Sequence, residues 1–253
     1  MKITFLGTAG GRFAVITQSR ASGGFILEMD GEMIHVDPGP GALVRAHEKK
    51  IDLRKLTGIA ISHSHPDHCT DASMVLEAMT FGTKKKRGTV VGNGYMIKGT
   101  ADGHYIPVYS RYHLNSVESY HTLEAGQSAS IGRVRITATR TKHRDSNAVG
   151  FVFEGSKRVG YTSDTEYFPG LARQFGGCDL LIINCLRPRK DGWPEHMNVD
   201  DAERLIGETR PGKAVLTHMG MKLLNSAEKN AREIEESTKT KTVAARDGMV
   251  LDF

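Results

Sequence analysis

HSHPDHCTD, residues 63–71, places three histidines and two aspartates within nine positions. The stretch follows the apolar run GIAIS at 58–62, which is typical of a buried β-strand. Because side chains two positions apart in extended backbone point the same way, His63 and His65 can reach one metal ion. Asp67 and His68 lie where the chain turns towards a helix and can face a second ion. Nitrogen and carboxylate ligands without cysteine suit Zn²⁺, Mn²⁺ or Fe²⁺, so the stretch predicts a metal site.

Three further titratable residues end apolar runs later in the chain. His143 follows VRITATRTK, Asp164 ends RVGYTSD, and His218 ends KAVLTH. Side chains at the ends of several strands can converge at one edge of a sheet, so we expect these three residues to join the cluster. Asp164 can bridge two ions through its two carboxylate oxygens.

Short β-type runs fall into two groups, and helical patterns lie between and after them. The strands are predicted at 2–7, 23–29, 32–37, 58–62, 134–140, 148–154, 158–163, 179–185, 213–217 and as a pair within 242–253, and the helices at 69–80, 198–209 and 225–238. This order suggests two sheets stacked face to face with helices outside. No linker divides the chain, so we predict one domain over 1–253. Residues 82–122 carry no assignable pattern and are predicted to be an inserted segment.

Composition indicates a soluble globular protein with a formal net charge of +5, which favours anionic partners. The basic runs Lys84–Arg87 and Arg187–Lys190 are either solvated loops or phosphate contacts. Cys69, Cys178 and Cys185 have no CxxC spacing, which fits free thiols in a reducing compartment. No secretory signal or membrane-spanning run is apparent, so the sequence predicts a cytoplasmic protein without membrane contact.

H-x-H-x-D-H at 63–68, followed by His143, SDT at 163–165 and LTH at 216–218, resembles the metallo-β-lactamase superfamily. FLGTAGG at 5–11 and HVDPGPG at 35–41 extend the resemblance over nearly the whole chain. The resemblance implies an α/β fold, a four-layer αβ/βα sandwich, with a dinuclear site at one sheet edge. By motif position it assigns one metal to His63, His65 and His143, and the other to Asp67, His68 and His218, with Asp164 between them. By the same resemblance, Asp37 corresponds to an aspartate that supports a metal ligand, or it is simply a turn residue before proline.

Two divalent cations, Zn²⁺ or Mn²⁺ with Fe²⁺ as a further option, would set the chemistry of such a site. A pair of cations lowers the pKa of a bridging water from ~15.7 toward ~7 and stabilises charge on an attacked ester. The expected reaction is hydrolysis, and it needs no serine or cysteine nucleophile.

PEHMNVDDAERL, residues 194–205, is similar to the H-x-T-x-x-E-A stretch of ribonuclease Z and related phosphodiesterases. In that branch the histidine corresponding to His196 stabilises charge at the scissile phosphate or protonates the leaving oxygen. We therefore expect Asp67 and His196 to be catalytic, and the substrate to be a nucleotide, a cyclic phosphate or an RNA phosphodiester. Glu195 either orients this imidazole or is only solvent-exposed. Gly10 and Gly11, in GTAGGRF, either direct N–H groups at a phosphate or form a plain turn.

The chain departs from ribonuclease Z in two respects. It has Pro66 where that family typically has glycine, and no protruding tRNA-binding arm is recognisable. Small cyclic phosphodiesters, as in the phosphonate-pathway phosphodiesterases, therefore stay open as substrates. So do two other functions, which are hydrolysis of a thioester or lactone, and non-catalytic binding of nucleic acid. Residues 82–122, with Tyr105, Tyr109, Tyr112 and His113, are a substrate lid or a dimer contact, and the resemblance allows a homodimer.

Overall fold

The computed structural model describes residues 1–253 and contains two β-sheets. The first has seven strands in the order β15-β1-β2-β3-β4-β5-β6. Their bounds are β1 Lys2–Phe5, β2 Phe25–Met29, β3 Glu32–Val36, β4 Gly58–Ile61, β5 Thr89–Gly92, β6 Ser119–Thr122 and β15 Val250–Asp252. The strands from β3 to β6 pair in parallel, whereas β15, β1, β2 and β3 pair antiparallel.

The second sheet follows the order β14-β13-β11-β10-β9-β8-β7, and β12 pairs with β11 beside this path. Its strands are β7 Ser128–Ile131, β8 Val134–Arg140, β9 Val149–Glu154, β10 Arg158–Tyr161, β11 Leu180–Arg187, β12 Met197–Asn198, β13 Lys213–Thr217 and β14 Thr242–Ala244. The strands β10, β11, β13 and β14 are parallel, so their carboxyl ends reach the same edge.

Eight α-helices connect these strands. They are α1 Arg12–Ile16, α2 Ala42–Glu48, α3 Pro66–Cys69, α4 Ala72–Met79, α5 Gly94–Lys98, α6 Arg111–Leu114, α7 Val199–Thr209 and α8 Ala227–Thr238, with short 3₁₀ turns at Leu53–Lys55 and Ala172–Phe175. None of the helices has the length and hydrophobicity that crossing a membrane would require.

Strand alternation divides the interior into three apolar clusters and so defines four layers. In β11, Leu180 and Ile182 pack between the two sheets, whereas Leu181 and Ile183 face α7 and α8. In β2, Phe25 and Leu27 join the cluster between the sheets, and Ile26 joins the one under α2 and α4. The layers are therefore helices, sheet, sheet and helices, the αβ/βα sandwich expected from the sequence.

Residues 82–122 are only partly an insertion. β5 and β6, which lie inside this range, are parallel strands of the first sheet, and residues 82–88 before β5 and 93–118 between the two strands stand outside it. The four-residue strands escaped the sequence analysis because β5 is short and ends in glycine, and because β6 reads SYHT with no apolar alternation. Within 93–118, α5 and α6 are separated by a loop.

Candidate metal centre

The stretch 63–71 leaves the first sheet where β4 ends. All four residues of β4 are buried, and so is the ring of His63. Pro66 takes the first position of α3, where a missing backbone N–H costs no helical hydrogen bond. The turn into this helix presents Asp67 and His68 towards the same edge as His63 and His65. The local fold thus follows from an apolar strand, a proline-started helix and the polar residues between them.

Three ring nitrogens meet on one side of the cluster. Nδ1 of His65 lies 3.1 Å from Nε2 of His63 and 3.2 Å from Nε2 of His143. His143 arrives from the end of β8, in the other sheet, and its Nδ1 faces the carbonyl oxygen of Glu195 at 3.2 Å. That carbonyl is an acceptor, so Nδ1 of His143 can donate to it, while Nε2 points at the other two ring nitrogens.

A second group of three donors lies beside the first. Nε2 of His68 is 3.1 Å from Nε2 of His218, which follows β13. Oδ2 of Asp67 is 3.4 Å from Nε2 of His218 and 3.8 Å from Nε2 of His68. Two histidines and one carboxylate therefore converge from both sheets.

Asp164 lies between the two groups. Its Oδ2 is 3.9 Å from Nε2 of His63 and 3.5 Å from Nε2 of His68, and its Oδ1 is 3.4 Å from Nδ1 of His218. Nδ2 of Asn184, on β11, donates to Oδ1 at 2.7 Å and fixes the carboxylate. All seven candidate ligands therefore lie together at one edge of the sandwich.

Asp37 supports the cluster through hydrogen bonds on its buried side. Its carboxylate accepts hydrogen bonds from the backbone N–H and the hydroxyl of Ser62, each at 2.7 Å, and from the hydroxyl of Tyr161 at 2.7 Å. Nδ1 of His68 lies 2.9 Å from the same carboxylate. Asp37 is buried, so it supports a candidate ligand and does not reach the open side of the site. It is therefore not simply a turn residue before proline.

Electrostatics keep two imidazoles ready to bind a cation. Burial is the main cause that lowers the pKa of His63 well below its usual value, and the neighbouring His68 adds to it. Burial also lowers the pKa of His65, followed by the charge of His143. Neutral imidazole is the form that binds metals, so both rings favour binding near neutral pH.

At His68 and Asp164 the surrounding charges favour a positive group. Burial lowers the pKa of His68, but the carboxylates of Asp164 and Asp67 outweigh it, and the pKa lies well above its usual value. Burial raises the pKa of Asp164, but the imidazoles of His218 and His68 outweigh it, so the carboxyl stays ionised. The carboxylates thus favour positive charge beside His68, either as a proton on its ring or as a bound cation.

His196 stands beside this cluster in the loop between β11 and β12. Its Nδ1 is 3.5 Å from Oδ2 of Asp164, and its ring centroid is 5.2 Å from that of His143. Burial, the largest cause, lowers the pKa of His196 to about 4. The carboxylate of Glu195 accepts from Nε of Arg144 at 3.3 Å, so the side chain of Glu195 does not orient His196.

The glycine-rich turn after β1 packs against the cluster. A Cβ on Gly10 would lie 2.1 Å from the carbonyl oxygen and 2.3 Å from Nδ1 of His218, so only glycine fits there. The N–H of Gly10 donates to the carbonyl of Met219 at 3.0 Å and is not available to a substrate. The prediction that this N–H faces a phosphate is therefore wrong for Gly10, whereas the N–H of Gly11 makes no hydrogen bond within the chain.

The two basic runs have structural partners. Lys84–Arg87 precedes β5 and lies at the opposite end of that strand from the cluster, and Arg87 donates to the carbonyls of Arg54 and Leu56. Arg189 pairs with Asp200, Glu203 and Glu233, on and beyond α7.

The donor set fits divalent metal ions. In a tetrahedral site with bonds of ~2.0–2.1 Å, neighbouring ligand atoms lie ~3.3–3.5 Å apart. The separations within the two groups, 3.1 to 3.8 Å, bracket that range. Nδ1 of His218 is buried without a hydrogen-bond partner, so this ring nitrogen is left unsatisfied by the chain itself. His and Asp clusters able to bind metal are thus present.

Comparison with known proteins identifies the family. A model described as the beta-lactamase superfamily domain matches residues 32–219, most of the chain and all seven candidate ligands. The chain belongs to the metallo-β-lactamase superfamily. Among its relatives in this superfamily, the uncharacterized protein MJ1374 of Methanocaldococcus jannaschii is 39% identical over 258 residues, which cover 100% of this chain and 95% of the relative. A ribonuclease Z of Methanosarcina mazei is 23% identical over 227 residues, 85% of this chain and 67% of the relative.

The metallo-β-lactamase fold is also found among solved structures. The protein YhfI from Bacillus subtilis superposes with a TM-score of 0.81 at 22% identity, covering 99% of this chain and 98% of that one. At this identity the likeness establishes the fold alone. Fold and family together make the chain a metallo-hydrolase homologue, as its sequence predicted.

Sequence reasoning missed several residues of this metallo-β-lactamase site. Asn184 and Tyr161 lie in apolar strands and hold Asp164 and Asp37, and a buried polar side chain in such a strand is a usable signal. Asp145 is also buried, and its carboxylate accepts from the N–H of Ser64 at 3.1 Å and from Nδ2 of Asn93 at 3.2 Å. It thereby joins the loop of His143 to the 63–71 stretch, which no spacing rule reveals.

Proposed function

We propose that this protein is a dinuclear metal-dependent phosphodiesterase. His63, His65 and His143 would hold one divalent ion, Asp67, His68 and His218 the other, and Asp164 would contact both. Two observations support this assignment: the short distances between the donor atoms, and the pKa shifts of His68 and Asp164, which show that positive charge is favoured there. When bound, such ions supply Lewis-acid activation of water and of the attacked ester. Histidine and carboxylate ligands suit Zn²⁺ and Mn²⁺, and also Fe²⁺.

The position of His196 is the observation that favours a phosphodiester substrate. The ring lies at the mouth of the cluster, with its side chain 16% exposed and Nδ1 turned to Asp164. Nε2 makes no hydrogen bond within the chain and can face a substrate. Because its pKa is about 4, the imidazole is neutral near pH 7, and in the tautomer with the proton on Nε2 it can donate a hydrogen bond to a phosphate oxygen.

Asp67 is the other proposed catalytic residue. Its side chain is 22% exposed, compared with 2% for Asp164, so it borders the open side of the site. Burial raises the pKa of Asp67, but His68 and His218 outweigh it and keep the carboxylate ionised. An ionised carboxylate there can accept a hydrogen bond from attacking water and orient it.

Relatives support phosphodiester chemistry but do not decide the substrate of this protein. The ribonuclease Z of Methanosarcina mazei acts, by its name, on RNA. The net charge of +5 favours a polyanion or a phosphorylated molecule, possibilities that include a nucleotide, a cyclic phosphate or RNA. The segment at 82–122 contains no long protruding arm, which leaves small phosphodiesters open.

A substrate panel tests the proposal. The protein, loaded separately with Zn²⁺ and Mn²⁺, is assayed with an aryl phosphodiester, cyclic nucleotides, short RNA, a thioester and a lactone. We expect turnover of phosphodiesters and little of the two acyl substrates. Turnover confined to the thioester or lactone would replace this proposal with an acyl hydrolase, and tight RNA binding without turnover would indicate a non-catalytic binding protein.

A further inference from the structure

The segment 93–118 places two tyrosines at the rim of the metal centre. Tyr95, on α5, stacks on Tyr105 with ring centroids 5.1 Å apart and planes inclined by 17°. The Tyr105 ring centroid is 6.5 Å from that of His65. His104 meets the Tyr105 ring edge-on at 4.8 Å. We call Tyr95, His104 and Tyr105 the aromatic wall.

The aromatic wall is fixed by local hydrogen bonds. The backbone N–H of Tyr105 donates to Oγ1 of Thr100 at 2.9 Å, and the N–H of Thr100 donates to the carbonyl of Tyr105 at 2.8 Å. Asp102 accepts from the hydroxyl of Thr100 and from the N–H of His104, which closes the turn. The hydroxyl of Tyr95 lies 3.2 Å from Oγ of Ser146, in the loop that carries His143. The wall is therefore tied to the loop of a candidate ligand.

The other aromatic residues of the segment have structural roles. Tyr109 is buried in the apolar cluster beneath α4, and His113 pairs with Glu77 of that helix. Tyr112 is exposed on α6, where its hydroxyl contacts Thr83. Of these residues, only Tyr105 contacts the ring of a candidate metal ligand.

The chemistry of the wall matches a nucleobase. Tyr95 and Tyr105 are half-buried, so part of each side chain stays open to solvent. The Arg144 side chain, 69% exposed, follows His143 on the same rim, where its charge is paired with Glu195. Stacking on a tyrosine tolerates every base, because each base has a π-face.

We propose that Tyr105, backed by Tyr95, stacks on the nucleobase adjacent to the scissile phosphodiester and so selects nucleoside esters over simple alkyl esters. This inference rests on the proposed phosphodiesterase function. In this proposal Tyr105 determines specificity for the base, whereas the metal centre and His196 would bind the phosphate.

The test compares two diesters with the same leaving group, thymidine 5′-(p-nitrophenyl phosphate) and methyl p-nitrophenyl phosphate. We expect Tyr105→Ala to lower kcat/KM about 10-fold for the thymidine ester and to leave the methyl ester within about twofold, from the usual strength of base stacking. Tyr105→Phe keeps the ring and should behave as the unaltered protein. Tyr112→Ala removes an exposed tyrosine of the same segment away from the centre and is the matched control.

Binding gives a second readout that needs no turnover. Calorimetry with the metal-loaded protein should show thymidine 5′-monophosphate binding about 10-fold more tightly than methyl phosphate, and Tyr105→Ala should remove the difference. An equal loss of kcat/KM for both diesters, or an unchanged binding difference, would overturn the role of Tyr105. If neither diester is hydrolysed, the phosphodiesterase proposal fails, while the binding comparison still decides whether the wall recognises a base.

Discussion

Asp37 and His68 form a buried pair in which a carboxylate oxygen lies 2.9 Å from Nδ1 of the imidazole. Because the carboxylate accepts the Nδ1 proton, Nε2 of His68 is turned towards Asp67, Asp164 and His218. Such outer contacts orient ligating histidines and raise their basicity. Asp37 reaches the cluster from the end of β3, whereas His68 lies on α3, which follows β4.

Asp37→Asn should weaken metal binding by about 10–100-fold, because an amide is a weaker partner for His68 and Ser62 than a carboxylate is. Asparagine tolerates the positive φ of 51° at this position, so the change adds no backbone strain. Competition with a chromophoric chelator measures the affinity. Asp52→Asn, on an exposed turn, is the control and should leave affinity unchanged; equal affinities in the two variants would contradict the role of Asp37.

His196→Ala should keep both metal ions and lower phosphodiester turnover by about 10²–10⁴-fold, since it removes only the hydrogen-bond donor proposed to stabilise charge on the phosphate. Elemental analysis and steady-state kinetics on the same preparation separate the two effects. His121→Ala, an exposed histidine of β6, serves as the control. Loss of a metal ion from the His196 variant would instead make it a ligand, together with Asp164 and His218, whose donor atoms lie close enough for that.

Gly10→Ala should displace His218, because the new Cβ would come within 2.1 Å of its carbonyl oxygen. Backbone atoms cannot swing aside as a flexible side chain can, so we expect a loss of about 1–3 kcal/mol in the free energy of unfolding and a lower metal content. Denaturant unfolding and elemental analysis provide the readouts. Gly176→Ala, which meets only the carbonyl of Arg173 at 3.9 Å, should do neither; unaltered metal content in the Gly10 variant would show that the turn can relax.

His35 should make the fold sensitive to acid. Its ring is fully buried on β3, Nε2 lies 2.8 Å from the carbonyl of Gly23, and burial lowers its pKa from 6.5 to about 4. The unfolded chain binds this proton near pH 6.5 and the folded chain does not, so stability is intact above 6.5 and falls towards pH 4, by about 3 kcal/mol in total.

Unfolding free energies at pH 7 and pH 4.5, with chelator throughout, measure this loss. His35→Gln removes the titrating group and should reduce the difference between the two pH values. His47→Gln, an exposed histidine on α2, should keep it. A His35 variant with the same pH dependence as the unaltered protein would assign the acid sensitivity to other groups.

The sequence predicts best where local chemistry decides the structure. Asp30 and Gly31 both have positive φ, as the tight turn between β2 and β3 requires, and an Asp-Gly pair between two β-type runs is a hairpin signal in the sequence itself. Asn198 caps α7 and forms a reciprocal pair with Asp201, as expected from an asparagine followed by acidic residues.

Prediction fails where tertiary contacts redirect a side chain. The helix predicted at 69–80 begins only at Ala72, as α4, because the separate short helix α3 ends at Cys69. Asp71, just before α4, turns its carboxylate to the N–H of Leu43, 28 positions earlier. Asn184 looks like an ordinary strand residue until the fold brings it to Asp164. The ligand set was predictable because the motif spans the sequence, whereas its supporting hydrogen bonds depend on packing between strands.

The candidate ligands come from both sheets, and this has a consequence for how the protein matures. His68 and His218 are 150 positions apart, and neither half of the chain carries a complete set for the ion they would share. Contacts between such distant residues form late in folding, because closing long loops is slow. An ion held there would crosslink the two sheets. Metal uptake during refolding should therefore report when the two halves of the sandwich have packed together.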